Sequence, residues 1–342
     1  MLSYLIDQLK SNKGFLPAIA SSVLLYFLFA YELERSDFVL LLTLWVALFA
    51  CTFLLIEKSG FHFWILAGIG VLFRFIFMPT LPTLSQDFYR FLWDGRMLLE
   101  GVSPYIVTPS QFISDDINLL PYSLRDHPLF IPNASELVRG MGSLNASHYS
   151  NYPPINQFFF LIAALFFKNS IIGSVIVLRS IMILADIGIL WIGKKLLEAL
   201  NLPIKNIFWY FLNPFIIIEF TGNLHFEGVM LFFLITALYL LHQKKWINAG
   251  IFFGISIATK LLPLLFLPLL WKQNLTDRQH NSYSWFRIIS LYAVIGVTLL
   301  VCFLPFVSSE FIQNFSATLG LWFQTFEFNA SIYYMLRWIG FQ

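Results

Sequence analysis

Long apolar stretches alternate with short polar ones along this chain. Windows at roughly 15–31, 38–56 and 61–79 are each near the ~20 residues that a membrane-crossing helix requires. A polar stretch of about 70 residues, 80–153, then interrupts the pattern and is too long for a simple connector. Residues 155–168 are apolar but only 14 long, which predicts an interfacial or re-entrant helix. Apolar windows resume at 171–193, 206–220, 226–242 and 288–306. The 206–220 window is broken by Asn213-Pro214. Residues 247–271 carry Lys260, Pro263 and Pro268, which predicts a hairpin of two short helices with Thr259-Lys260 at its tip.

Basic residues sit in the short connections: Lys10 and Lys13, then Lys194, Lys195, Lys205, Lys244, Lys245, Lys272, Arg278 and Arg287. The positive-inside bias places these, with Glu57-Lys58, in the cytoplasm. Residues 80–153 and 221–228 are then expected on the outer side, with 311–342 (Glu327, Asn329, Ser331, Tyr333, Arg337) outside or at the outer interface. The pattern predicts an all-α polytopic membrane protein, in which a transmembrane hairpin, residues 1–59, precedes a unit of residues 60–342. No internal repeat is visible.

Composition agrees. Hydrophobic residues make up 58% of the chain and charged residues 12%, which a soluble protein of this length has no means to bury. A formal net charge of +2 offers nothing to nucleic acid. Cys51 and Cys302 lie inside apolar runs and read as inert thiols. Lys10 and Lys13 precede an apolar run as in a signal peptide, but no small-residue cleavage site follows Tyr31, so a retained first helix is expected.

Against this background, Ser85–Arg96 stands out. Asp87, Arg90, Asp94 and Arg96 put four charges within ten positions beside an apolar segment. In a helix, Asp87, Arg90 and Asp94 share one face, and Phe88, Phe91 and Leu92 another. This pattern predicts an amphipathic helix on the bilayer, its charged face toward a cavity. A second polar cluster, Thr221–Gly228, holds His225 and Glu227. Asp186 and Glu219 read as internal pairing partners. Arg74, inside the third window, is either a functional or paired charge or one that snorkels to the headgroups. Phe158-Phe159-Phe160 reads as lipid-facing. Asp115-Asp116 reads as a solvated loop; no His stands at ligand spacing, and neither metal nor cofactor is expected.

The order of these features resembles a membrane glycosyltransferase of the GT-C superfamily, in particular the polyprenol-phosphate-mannose-dependent α-mannosyltransferases. The resemblance spans roughly residues 60–340. It rests on Asp87-Phe88-Tyr89-Arg90-Phe91-Leu92-Trp93-Asp94-Gly95, Gly101-Val102-Ser103-Pro104-Tyr105, Tyr152-Pro153-Pro154, Leu212-Asn213-Pro214, Gly222-Asn223-Leu224-His225-Phe226-Glu227 and Ala258-Thr259-Lys260-Leu261-Leu262-Pro263. It implies a GT-C-like helical bundle whose long outer loop carries the site. It also implies a polyprenyl-phosphate sugar donor, a glycan, lipid or protein acceptor, and chemistry on the outer face. In such enzymes an acidic residue near the membrane end of the first large outer loop is the catalytic base, and Asp87 occupies that position.

Phosphate departs without protonation, so one general base suffices and a single displacement inverts the anomeric carbon. Asp94 would orient the acceptor or pair with Arg90. Arg90, His225 and Lys260 are candidate cations for the donor phosphate, and Glu227 is a further candidate substrate-binding residue. Tyr89 and Trp93 would stack on a sugar ring or anchor at the interface. Two competing expectations are a transporter or flippase of a lipid-linked saccharide, suggested by broken helices and intramembrane charges, and an inactive scaffold of a glycan-assembly complex. The concentration of polar residues at one surface, rather than at the midplane, speaks against transport.

Overall fold

A computed structural model describes residues 14–58, 62–114, 116–120, 124, 130–276, 283–324 and 331–340. Lys10, Lys13, Asp115, Arg125, Asp126, His127, Arg278, Glu327 and Asn329 lie outside the described residues. The described chain is all-α. Three helices open it, α1 (Phe15–Tyr31), α2 (Phe38–Lys58) and α3 (Phe63–Ile76). The polar stretch folds into α4 (Asp87–Leu99) and α5 (Ala134–Ala146), and α6 (Pro154–Phe167) follows. The 29-residue α7 (Ile171–Ala199) leads into a segment of short turns, 204–222. Next come α8 (Glu227–His242), α9 (Trp246–Thr259), α10 (Leu267–Thr276), α11 (Tyr283–Phe303), α12 (Ser309–Gln324) and α13 (Ser331–Gly340).

Among the described residues, α2, α7 and 286–306 are each long and apolar enough to cross a membrane. Pro214–Gly222 and α8 make a fourth span if taken as one, bent by 114°. Large apolar side chains such as Val39, Phe166 and Leu300 are more than two-thirds exposed, as lipid-facing residues are. The chain is an integral membrane protein.

Charges sort to opposite ends. Lys205 Nζ lies 3.2 Å from the Glu57 carboxylate, so the α2–α3 connection and the α7 exit share one end. At the other end Lys260, at the break after α9, pairs with Glu227 at the start of α8. The expected break at Thr259-Lys260 is present: α9 ends at Thr259, Lys260 is extended and a short 3-10 segment, 262–266, leads on to α10, which does not pack along α9 as a hairpin would.

The two intramembrane charges singled out from the sequence, Arg74 and Asp186, find each other. Arg74 Nε donates to Asp186 at 2.8 Å with both side chains fully buried, and Tyr210 donates to the same carboxylate. Arg74 thus does not snorkel. Its guanidinium also lies 4.1 Å over the Phe211 ring and donates to the Phe211 carbonyl. Thr52 of α2 donates to the next carbonyl, Leu212. Carbonyls freed where Asn213-Pro214 breaks the helix are thus met by side chains from α2 and α3, as the membrane interior demands.

One expectation fails. The polarity of α4 predicted a helix lying on the bilayer, yet Phe88 and every residue from Arg90 to Met97 are buried. α5, α6 and α7 pack around it. Phe91 and Phe160 stack at 4.6 Å, so Phe160 is core; of the Phe158–Phe160 run only Phe158 is exposed. The α4–α6 contact needs a glycine. A Cβ on Gly95 would run into the backbone carbonyl of Phe160. Backbone cannot swing aside as a side chain does, so Gly95→Ala is expected to cost about 1–3 kcal/mol or more. Thermal unfolding in detergent reads this, and an unchanged midpoint would refute the packing.

Candidate active site

Asp87 is the first residue of α4 and is half-buried. Asn145 of α5 donates to its carboxylate at 3.4 Å, and its own backbone N–H is held by the Ser85 hydroxyl. Among the described residues no cation pairs with Asp87. Asp94, two turns along, has the opposite surroundings. It is fully buried, ion-paired with Arg90 at 2.7 Å, and accepts from Ser150 and Gln157. Of the two expectations for Asp94, the structure takes pairing.

Arg90 is correspondingly engaged through Nε and Nη1. Besides Asp94 it donates to the carbonyls of Asn145 and His148, fastening α4 to the end of α5, and it is buried. Its Nη2 is buried without a hydrogen-bond partner among the described residues, and with the side chain 4% exposed the phosphate it was expected to meet has no direct access to it. Trp93 is fully buried with its ring edge-on to Phe112, so it is neither a sugar platform nor an interface anchor. Tyr89 is half-buried, its ring 4.0 Å from Phe88 and packed where Gly140 leaves room for it. Arg96 donates to Pro132 and Asn133; burial lowers its guanidinium to about 10, with Glu136 opposing, so it stays charged at neutral pH.

The second cluster faces Asp87. His225 Nδ1 lies 3.3 Å from Glu219, which also accepts from Asn223 at 3.2 Å, so Glu219 is the internal partner it was expected to be. The Asn223 carboxamide oxygen in turn accepts from the backbone N–H of Leu84, three residues before Asp87. Lys260 and Glu227 form an ion pair, and the lysine is 46% exposed. Tyr152 sits between the clusters. Burial pushes its phenol well above the usual tyrosine range, and the carboxylates of Asp87, Asp94 and Glu227 push the same way. Those acids therefore surround one neutral phenol. Asn156, at the start of α6, donates to the Thr259 carbonyl at 2.9 Å and ties the α9 end to this region.

The Gly101–Tyr105 turn anchors the assembly to the C-terminal helices. Gly101 has φ +76, which only glycine adopts without strain. Tyr105 inserts among Phe306, Phe311 and Phe315, donates to the Tyr152 carbonyl, and has its own carbonyl bound by Asn314. Beside this turn runs a groove of about 510 Å³ whose walls include Val102, Phe158, Leu161, Pro305 and Phe306, with Gln157 and Ser103 as polar residues.

The expected residues thus divide. Asp87, His225, Glu227 and Lys260 lie at one end with accessible polar atoms, and Tyr89 borders them. Asp94, Arg90 and Trp93 are interior. Asn145, Ser150, Gln157, Asn223 and Arg179 were missed from sequence. Arg179 is an arginine inside an apolar helix, the signal that singled out Arg74. The others are neutral: Asn223 lay inside the second polar cluster without being singled out, Gln157 was a polar residue in the apolar 155–168 window, and Asn145 and Ser150 carry no local signal.

Comparison with known proteins finds mannosyltransferases. Alpha-(1->6)-mannopyranosyltransferase A of Mycobacterium tuberculosis is 23% identical over 208 residues, covering 58% of this chain and 36% of that protein. Alpha-(1->6)-mannopyranosyltransferase B of Corynebacterium glutamicum is 24% identical over 164 residues, 48% of this chain and 24% of that protein. GPI mannosyltransferase 1 of Kluyveromyces lactis is 32% identical over 108 residues, 31% of this chain and 26% of that protein. The match thus covers between about a quarter and just over a third of the length of these relatives. No solved structure gives a significant match. A family model described as "Alpha-(1->6)-mannopyranosyltransferase, N-terminal domain" matches residues 25–276, which hold every site residue above, and the chain belongs to that family.

Proposed function

We propose that this protein is a membrane glycosyltransferase that moves mannose, or another hexose, from a polyprenyl-phosphate donor to a glycan, lipid or protein acceptor on the outer face of the membrane. The observation that carries the reading is the contrast between two aspartates on one helix. Asp94 has its charge neutralised by Arg90 and its lone pairs filled. Asp87 is half-buried, and among the described residues its carboxylate accepts only from the Asn145 amide. A carboxylate held in place by a neutral amide keeps a lone pair for an incoming hydroxyl, as a general base requires.

In this reading the acceptor hydroxyl gives its proton to Asp87 as its oxygen attacks the anomeric carbon. The carbon–phosphate oxygen bond breaks, the electron pair leaves with the phosphate, and the anomeric configuration inverts. Lys260 takes the phosphate, because an ammonium has three donors and Glu227 uses one. His225, steadied by Glu219, is the second donor toward the same group. Arg90 and Asp94 act as the interior clamp that fixes Asp87. Tyr89 and Trp93 support that helix by packing. The charge sorting supports the outer face: Lys205 and Glu57 mark one end, and the positive-inside bias favours that end as the cytoplasmic one.

The test is transfer of label from radiolabelled polyprenyl-phosphate mannose to acceptor by the purified full-length protein in detergent. Incorporation is the expected result. No incorporation from any polyprenyl-phosphate sugar, with transport of a lipid-linked saccharide in vesicles, would replace the enzyme with a transporter.

A further inference from the structure

Arg179 lies within α7, a largely apolar helix. Its side chain is fully buried, and among the described residues no carboxylate pairs with it. A buried cation without a counter-ion is costly unless its donors are all met. Here they are met by backbone carbonyls. Nε donates to Thr221 at 2.8 Å and Nη2 to Gly222 at 2.9 Å. Nη1 is shared among Phe77, Met78 and Thr80. These carbonyls belong to two helix ends, that of α3 and that of the 217–222 turn, where unsatisfied C=O groups and a negative partial charge accumulate.

Each end runs on into a cluster of site residues. Thr80 precedes Asp87 by seven residues, and Gly222 precedes His225 by three and Glu227 by five. One planar guanidinium therefore binds both segments that enter the site, and the Leu84–Asn223 hydrogen bond ties them a second time at 3.1 Å. We infer that Arg179 is a positioning residue: it sets the spacing between the Asp87 carboxylate and the His225–Glu227 cluster by clamping the carbonyl ends of the two segments that carry them. The inference rests on the function proposed above. Lysine cannot substitute, because a point ammonium does not reproduce a fork reaching two strands of chain.

The test uses Arg179→Lys in the full chain, read by hydrogen exchange and by transfer kinetics. Exchange is expected to rise in 80–86 and 221–228 while α1, α2 and α11 stay protected. The expected kcat falls about 10²-fold with KM for the donor unchanged, because a misplaced base slows chemistry without weakening binding. Unchanged exchange in both segments overturns the clamp. Loosened segments with wild-type kcat overturn its role in positioning. If Arg179→Lys does not fold, Asn223→Ala cuts the second tie between the same segments and is expected to shift the same two readouts in the same direction; protection and kcat both at wild-type level would overturn the inference. A wild-type protein that transfers no sugar would remove the proposed function, and the exchange result would still decide whether Arg179 joins the segments.

Discussion

Asp87→Asn is expected to lower sugar transfer by about 10²–10⁴-fold, the range associated with a lost general base. The substitution keeps the shape of the side chain and an oxygen to accept from Asn145, whose bond to Asp87 is 3.4 Å long. It removes only the basic lone pair. Because no cation pairs with Asp87 among the described residues, no buried charge is orphaned, and the thermal midpoint in detergent is expected to stay at the wild-type value. That separates Asp87 from its neighbour. Asp94→Asn removes the counter-ion of a buried Arg90 and is expected to fail through folding instead. Single-turnover transfer, measured beside the midpoint for each variant, distinguishes the two. If Asp87→Asn transferred sugar within about tenfold of wild type, below the usual contribution of a general base, the base would lie elsewhere. Glu227 would then be the next candidate.

The second large effect is structural. Asp186→Ala should destabilise the fold by about 3–5 kcal/mol, the usual result of removing one member of a fully buried ion pair. Arg74 and Asp186 are both inaccessible, and Tyr210 loses its acceptor in the same step. Arg74 cannot withdraw to water, since its side chain is fully buried and Nη1 holds the Gly70 and Phe211 carbonyls inside the bundle. The double variant Arg74→Met/Asp186→Leu removes both charges and should recover part of the loss, though the Phe211 carbonyl then loses a donor. Denaturation in detergent with each single and the double variant gives the coupling directly. A single Asp186→Ala within about 1 kcal/mol of wild type would show that the pair is not the buried contact described.

Much of the architecture was legible because lipid imposes a simple rule on sequence. Backbone polar groups must be satisfied within a segment, so apolar windows become helices and their ends are sharp. The window at 15–31 coincides with α1, and that at 38–56 falls two residues short of α2. Pro214 and Pro263 marked real breaks for the same reason. The short 155–168 window is a 14-residue helix, one face on α4 and α7, the other carrying exposed Phe158, Leu165 and Phe166.

The character of α4 was not legible. Its charges at spacings of three and four look the same whether they face a cavity or pair in the interior. Arg90 and Asp94 cancel each other four residues apart, which makes an amphipathic pattern compatible with complete burial. Local sequence carries no record that α5, α6 and α7 close over that face.

By itself, then, the sequence did not determine α5, α12 or α13, but it determined most of the apolar helices, their breaks, the residues able to do acid–base or phosphate chemistry, and the family pattern that joins them. Those follow from local spacing and from the cost of exposing peptide groups to hydrocarbon. Tertiary structure alone decided which charges are spent on one another. It paired Arg74 with Asp186, Arg90 with Asp94 and Lys260 with Glu227, gave Arg179 to five carbonyls, and left Asp87 beside a neutral amide. Partners in these contacts lie as far as 112 residues apart, as Arg74 and Asp186 do, and only the packing of whole helices brings them within hydrogen-bonding distance.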